Sequence, residues 1–265
     1  MAQGNTRKVI EVFDVDGNEF CSDLPVYPID PTRGNGGLLE DTPVLCGSSS
    51  FTTECYSYVK ASNTWQLLGN LVTGRGFFGA GIFRGALWVT GGRQDDRGNQ
   101  KLDSTETIAL DGTVSSGTNL PNGRHGHSMV VLNNDEFMIL GAAYPSNLYR
   151  NTMTYNANSG TFTDGPSMIH NRRDASCSMF QSKFHNDRQV VLCAGGISDS
   201  GTAELLDFSQ ENAQWEEGMN FKEHHLCPLC YISWSPKTKR PKSIFLLLLL
   251  LQLTKEKKPH CLSFF

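Results

Sequence analysis

The sequence predicts an all-β fold assembled from near-copies of one unit, on three observations. An arginine ahead of a small-residue-rich segment recurs, at Arg75 (TGRGFFGAGIF), Arg124 (NGRHGHSMVVL) and Arg173 (NRRDASCSMF), with both gaps 49 residues long. Within each period, runs of four to six apolar or β-branched residues alternate with Gly, Asn and Asp clusters, a pattern of strands joined by hairpins with room for four strands. The 265 residues hold 26 glycines and 11 prolines, and no segment before residue 219 keeps a capped helical period over three turns.

Taken in chain order, the first eight residues are polar and no apolar signal-peptide core follows them. Val9 to Phe13 and the following DVDGNEFC read as two strands, a partial unit within 1–24. Four repeats then occupy about 33–72, 73–121, 122–170 and 171–218, inside a region running from 25 to 218. An earlier arginine, Arg33, lies 42 residues before Arg75. Each repeat carries an apolar run that ends in a small pair: Gly47-Ser48, Gly91-Gly92, Gly141-Ala142 and Gly195-Gly196. Glycine there permits a left-handed turn at a crowded point. A large residue opens the last segment, at Trp65, Val114, Phe162 and Trp215, with gaps of 49, 48 and 53. In the third repeat, Ser128–Leu132 and Glu136–Leu140 are predicted strands around an Asn133-Asn134-Asp135 turn.

These features resemble the kelch repeat over about residues 8–218. The double glycines Gly91-Gly92 and Gly195-Gly196 carry the resemblance. So does an aromatic residue seven positions before a bulky one: Tyr58 to Trp65, Tyr155 to Phe162 and Phe208 to Trp215. The period of about fifty agrees. Gly141-Ala142, Val114 and Phe162 depart from the pattern while keeping apolar volume. The resemblance implies a β-propeller whose repeats are four-stranded blades, here incomplete at about four to five blades. It implies stacking of each blade on its neighbours and a ligand face beside the family arginines. Arg33, Arg75, Arg124 and Arg173 are therefore candidate binding residues, their forked donors suited to carboxylates. The competing expectation is that they brace neighbouring blades. The function expected is a non-catalytic interaction scaffold for a protein or peptide partner, an acidic peptide above all. The alternative is a galactose-oxidase-like or other enzyme on the same fold, since fold does not decide function. The Tyr, Cys and His set such a copper enzyme needs cannot be assembled from this sequence. No nucleophile elbow, phosphate loop or HExxH motif is present, and no catalytic residue or cofactor is expected.

Charge and cysteines narrow the remaining classes. A net charge of −4 argues against nucleic acid as partner, and no run of about 20 apolar residues exists to span a bilayer. Residues 219–265 differ from the rest: eight Lys or Arg against two acids gives +6, leaving 15 basic and 25 acidic residues, −10, upstream. This basic tail, with Leu246 to Leu251 in a row, is expected to be disordered or aberrant and outside the propeller. Cys46 with Cys55, and Cys177 with Cys193, fall on adjacent predicted strands and are candidate disulfides, with buried free thiols as the alternative. Pairing implies an extracellular parent whose signal peptide is missing from this chain; otherwise the chain is expected to be cytoplasmic. The absence of an Asn-x-Ser/Thr sequon weighs mildly against secretion. His224, His225, Cys227 and Cys230 resemble half a zinc site, but the second pair, His260 and Cys261, lies 30 residues away across the leucine run, and no zinc is assigned. Asp14 to Asn18 reads as a hairpin turn rather than a calcium loop, and Asp95-Asp96 as an acidic turn. His125 and His127, two residues apart, are expected on one strand face with hydrogen bonds inside their blade.

Overall fold

The structure, a computed structural model, describes residues 12–14, 19–21, 25–48, 50–97, 100–197 and 201–218. The tail with its histidines and cysteines, and the Val15–Asn18 part of the acidic turn, lie outside the described residues.

The apolar and β-branched runs of the sequence form the strands. A short antiparallel pair, β1 (Val12–Asp14) and β2 (Glu19–Cys21), comes first. Four antiparallel sheets follow, each of four strands in sequence order. Sheet I is β3 (Asn35–Leu39), β4 (Thr42–Cys46), β5 (Glu54–Val59) and β6 (Thr64–Asn70). Sheet II is β7 (Gly79–Phe83), β8 (Ala86–Thr90), β9 (Thr105–Ile108) and β10 (Val114–Ser116). Sheet III is β11 (Ser128–Val131), β12 (Glu136–Leu140), β13 (Thr152–Asn156) and β14 (Thr161–Asp164). Sheet IV is β15 (Ser176–Ser182), β16 (Arg188–Ala194), β17 (Ala203–Leu206) and β18 (Trp215–Glu217). Only two single turns of 3-10 helix interrupt the described β structure.

The first hairpins of sheets I and II turn on two residues, Glu40-Asp41 and Arg84-Gly85, all with positive φ, the backbone twist that two-residue hairpins favour. In sheet III the Asn133 side chain accepts the Asp135 N–H at 2.8 Å and closes the turn there.

The first strands of successive sheets lie side by side: β3 by β7, β7 by β11, β11 by β15. Three apolar clusters fill the spaces between the sheets. Leu39, Val44, Phe78, Leu87, Val89 and Ile108 pack between sheets I and II. Phe83, Phe137, Ile139, Met153 and Tyr155 pack between sheets II and III. Met138, Leu140, Val191, Leu206 and Trp215 pack between sheets III and IV. A fully buried side chain of this size contributes about 1.5–3 kcal/mol. No sheet covers its own two faces, so the stability of each depends on its neighbour.

The bulky residues of the fourth strands occupy one recurring position. Trp65 stands opposite Tyr58, Val114 opposite Ile108, Phe162 opposite Tyr155 and Trp215 opposite Leu206. Tyr58 and Trp65 have ring centroids 5.5 Å apart, and Tyr155 and Phe162 5.0 Å. The sequence expectation is corrected in sheet IV. Phe208 lies beyond β17, and Leu206 holds the position, because a longer β17–β18 connection moves the sequence spacing from seven to nine residues.

Both predicted cysteine pairs lie directly across from one another on adjacent strands, at disulfide distance. Their Cα atoms are 4.0 Å apart for Cys46 and Cys55 and 4.2 Å for Cys177 and Cys193. Gly47, Gly91, Gly141 and Gly195, each just after a second strand, all have positive φ. The residue after Gly141 is Ala142, which needs no such φ, so a second glycine is dispensable there.

Among the described residues no helix is long and apolar enough to cross a membrane.

Candidate functional site

Three arginines are wholly enclosed, and they share one place in the fold. Arg75, Arg124 and Arg172 each precede the first residue of a first strand (Gly79, Ser128, Ser176) by four positions, and each is at most 1% exposed. The same position before β3 is Pro31. Two expectations are corrected by this register. Arg173 is displaced by one residue from the buried position, which its neighbour Arg172 fills. Arg33 is displaced by two.

Arg75 donates from Nη1 to the carbonyls of Gly91 at 2.8 Å and Ser104 at 2.9 Å, and from Nη2 to the Glu106 carboxylate. Glu106 also accepts the main-chain N–H of Val72 at 2.6 Å and Thr73 at 3.1 Å. Arg172 repeats the scheme. Its Nη1 donates to Gly195 O at 2.8 Å and Thr202 O at 3.0 Å, and its Nε to Glu204 at 2.7 Å. Glu204 accepts the Ile169 N–H at 2.6 Å. Burying two charges is costly, and these pairs tolerate it because main-chain donors satisfy the remaining carboxylate lone pairs. Each arginine therefore ties the segment entering a sheet to the second and third strands of that same sheet, not to its neighbour.

Arg124 departs from the scheme. Its Nη1 donates to the Asn151 side chain at 2.9 Å, and its Nε and Nη2 are buried without a hydrogen-bond partner. Burial lowers its pKa to about 10, with the Asp164 charge opposing.

A second group gathers at the ends of the first strands. Arg33, Phe77, Gly126 and Asp174 each lie two residues before a first strand, and all four have left-handed φ of 55–72°. They form a continuous chain of hydrogen bonds. The Phe77 N–H donates to Arg33 O at 2.8 Å, the Gly126 N–H to Phe77 O at 2.7 Å and the Asp174 N–H to Gly126 O at 3.0 Å. Gly126 must turn here, so His125 and His127 do not share a strand face as the sequence suggests. His127 Nε2 accepts the Gly79 N–H of sheet II at 3.2 Å, whereas His125 lies against Phe77 and, ring on ring, against Tyr144.

Around this chain of bonds stand four cations: Arg33, Arg93, Lys101 and Arg173. The Arg93 guanidinium lies 4.5 Å over the Phe77 ring, Arg33 lies 5.2 Å over the same ring, and the Lys101 ammonium lies 4.2 Å over Tyr144. Asp96 pairs with Arg33. Asp95, Asp96 and Asp174 stand among these cations, so the cluster carries charges of both signs. Burial, then Arg93, Arg173 and Lys101, push the His125 pKa down to about 4. Arg93 is lowered by burial and by Arg33. Nε of Arg93 and Nε of Arg173 are buried without a hydrogen-bond partner, although both residues are only half-buried. Tyr144 is 48% exposed beside them. Such an arrangement can accept a carboxylate and stack a flat or apolar group next to it.

Of the four sequence-predicted binding residues, the structure brings Arg33 and Arg173 into this cluster and encloses Arg75 and Arg124. Arg93, Lys101, Phe77 and Tyr144 were not anticipated. Three of them lie in or beside the connections after the second strands, where no shared spacing marks them. Among the described residues no three His, Cys, Asp or Glu side chains gather as a metal site.

No family model and no curated protein matches the sequence. Among solved structures, one described as "Structure of YjhT" is similar in fold, with a TM-score of 0.63 at 14% identity. The match covers 76% of this chain and 68% of that one.

Proposed function

We propose that the chain is a kelch-type β-propeller of about four to five blades that acts as a non-catalytic interaction scaffold. In this reading the four sheets are blades, the first strands line the axis, and the ligand is an acidic segment of a protein. One observation carries it: the unpartnered Nε groups of Arg93 and Arg173 stand beside Lys101 and an exposed tyrosine ring at the shared end of the first strands. A carboxylate there gains charge-assisted bonds to donors whose desolvation is already complete. The recurring register of the four sheets and the similarity of fold to a solved structure support the propeller. The two cysteine pairs support an extracellular parent.

The test is fluorescence-polarisation binding of a Glu/Asp-rich peptide carrying one aromatic residue, against a Lys-rich peptide of equal length. Arg93→Ala combined with Arg173→Ala is expected to weaken the acidic peptide more than tenfold, about 1.4 kcal/mol or more, and added salt to weaken the wild type. Undiminished binding in the double variant, or equal binding of the basic peptide, refutes the reading.

A further inference from the structure

Successive sheets pack by one rule, and the two end sheets use only half of it. Three residues before the glycine that closes each second strand, Val44, Trp88 and Met138 pack forward, into the clusters shared with the next sheet. In sheet IV that position is Leu192, half-buried, and no four-stranded sheet follows among the described residues. Its pairing partner Leu205, and Phe180 on the same face, are half-buried too. In the other direction, the large fourth-strand residues Val114, Phe162 and Trp215 pack back on the sheet before. In sheet I that residue is Trp65, and no four-stranded sheet precedes it among the described residues.

Both end faces are apolar, where stacked repeats ordinarily finish on a polar cap. On sheet I, Tyr27 lies 5.0 Å from Trp65, centroid to centroid, and Leu67, opposite Tyr56, is 55% exposed. The Trp65 Nε1–H is buried without a hydrogen-bond partner. That of Trp215, at the same position in sheet IV, donates to Pro166 O in the chain leaving the sheet before it.

The ends also carry matching charges. Between sheets II and III, Arg84, the first residue after β7, donates to the Asp135 carboxylate at 2.6 Å and to Asn134 O at 3.0 Å. Asp135 immediately precedes β12. In sheet I the residue immediately before β4 is Asp41, exposed beside Glu40, and with Pro43, Tyr58 and Lys60 it lines a recess of about 260 Å³. In sheet IV the first residue after β15 is Lys183, exposed. Lys60 in sheet I and Asp187 in sheet IV complement one another in the same sense. The two end sheets thus hold the two halves of a contact that sheets II and III make with each other.

We propose that the chain associates head to tail with a second copy of itself, the open face of sheet IV in one copy packing on the open face of sheet I in the next, as each sheet packs on its neighbour within the chain. Lys183 of one copy then meets Asp41 of the next, and Leu192, Leu205 and Phe180 meet the Trp65 face. Such a contact joins two different surfaces, so copies either close into a ring or extend as a filament. The association does not depend on the acidic-peptide reading.

The experiment is sedimentation velocity of the full chain at low salt over a micromolar concentration series. Species of two or more copies are expected, growing with concentration. Asp41→Lys and Lys183→Glu, both at exposed positions, each set like charges against one another and are expected to weaken association at least about tenfold. An equimolar mixture of the two variants is expected to restore it, because every contact between unlike copies then joins opposite charges; damage to the fold would not be rescued by mixing. A single-copy mass at every concentration, as when the chain's own ends or another protein cover these faces, overturns the proposal. So does association that both variants leave undiminished, or a mixture that stays dissociated.

Discussion

At the scale of single residues, the buried polar groups set the chemistry. His127 is enclosed between sheets II and III, and burial, then the Arg124 charge, holds its pKa down to about 3. That of His125 falls to about 4, through burial first and then Arg93. An unfolded histidine titrates near 6.5. Between pH 6.5 and about 4, the unfolded chain binds more protons at these positions than the folded one. Stability is therefore full above pH 6.5 and declines as pH falls, with each histidine contributing up to about 1.4 kcal/mol per pH unit. Urea unfolding at pH 7, 6 and 5 is expected to show this slope, and His127→Gln to flatten it. An unchanged slope in that variant would assign the dependence to other groups.

The residue scale is also where the sequence was hardest to read. Glycine and apolar runs showed where the second strands end, because a left-handed turn and a buried strand restrict composition locally. Arginine position is a weaker guide. Arg172 and Arg173 are adjacent, and only strand register decides which one turns inward. Glu106 and Glu204 follow their arginines by 31 and 32 residues, a near-equal spacing that is a legible signal. Counting forward from the second-strand glycines gives 15 and 9 residues and hides it, because the connections between the second and third strands differ in length.

At the scale of elements, the β reading came through because strands and turns are encoded within a few residues. Asn133-Asn134-Asp135 closes its hairpin as its composition suggests. Val114 and Phe162 take the place of tryptophan because the position requires apolar bulk opposite the third strand, not an indole. The cysteine pairs follow from the same local pairing: Cys46 and Cys55 are partners in the β4–β5 register, and Cys177 and Cys193 in the β15–β16 register. They close loops of 9 and 16 residues, for which chain-entropy arguments give about 2–3 kcal/mol each. Double alanine replacement of either pair is expected to lower the free energy of unfolding by about that amount in guanidinium titrations. Treatment of the wild type with a thiol reductant is expected to lower it further than either double variant alone; wild-type curves that ignore the reductant would mean the thiols are not joined.

At the scale of the whole molecule, stability passes between neighbours. Among the described residues each apolar cluster belongs to two sheets at once, and none joins sheet I to sheet III or sheet II to sheet IV. Trp215 of sheet IV packs in the cluster with Met138 and Leu140 of sheet III. Its indole N–H also donates to Pro166 O at 3.0 Å, in the chain that leaves β14. Trp215→Ala is expected to cost about 3–5 kcal/mol. Hydrogen exchange should show the loss in sheets IV and III and spare β4 and β5 of sheet I. Uniform loss across all four sheets would show that the molecule unfolds as one unit instead of by neighbours.

The hydrogen-bonded chain through Arg33, Phe77, Gly126 and Asp174 has a consequence for how such a surface can diverge. One main-chain shape recurs four times, yet it carries a cation, an aromatic ring, a bare hydrogen and an anion. The peptide groups do the joining, so at Arg33, Phe77 and Asp174 the side chains are left as type in a fixed frame, whereas at Gly126 a Cβ would come within 2.5 Å of Asp174 and Ala143. A lineage could reset three letters of that face while the fourth stays blank and the frame stays put.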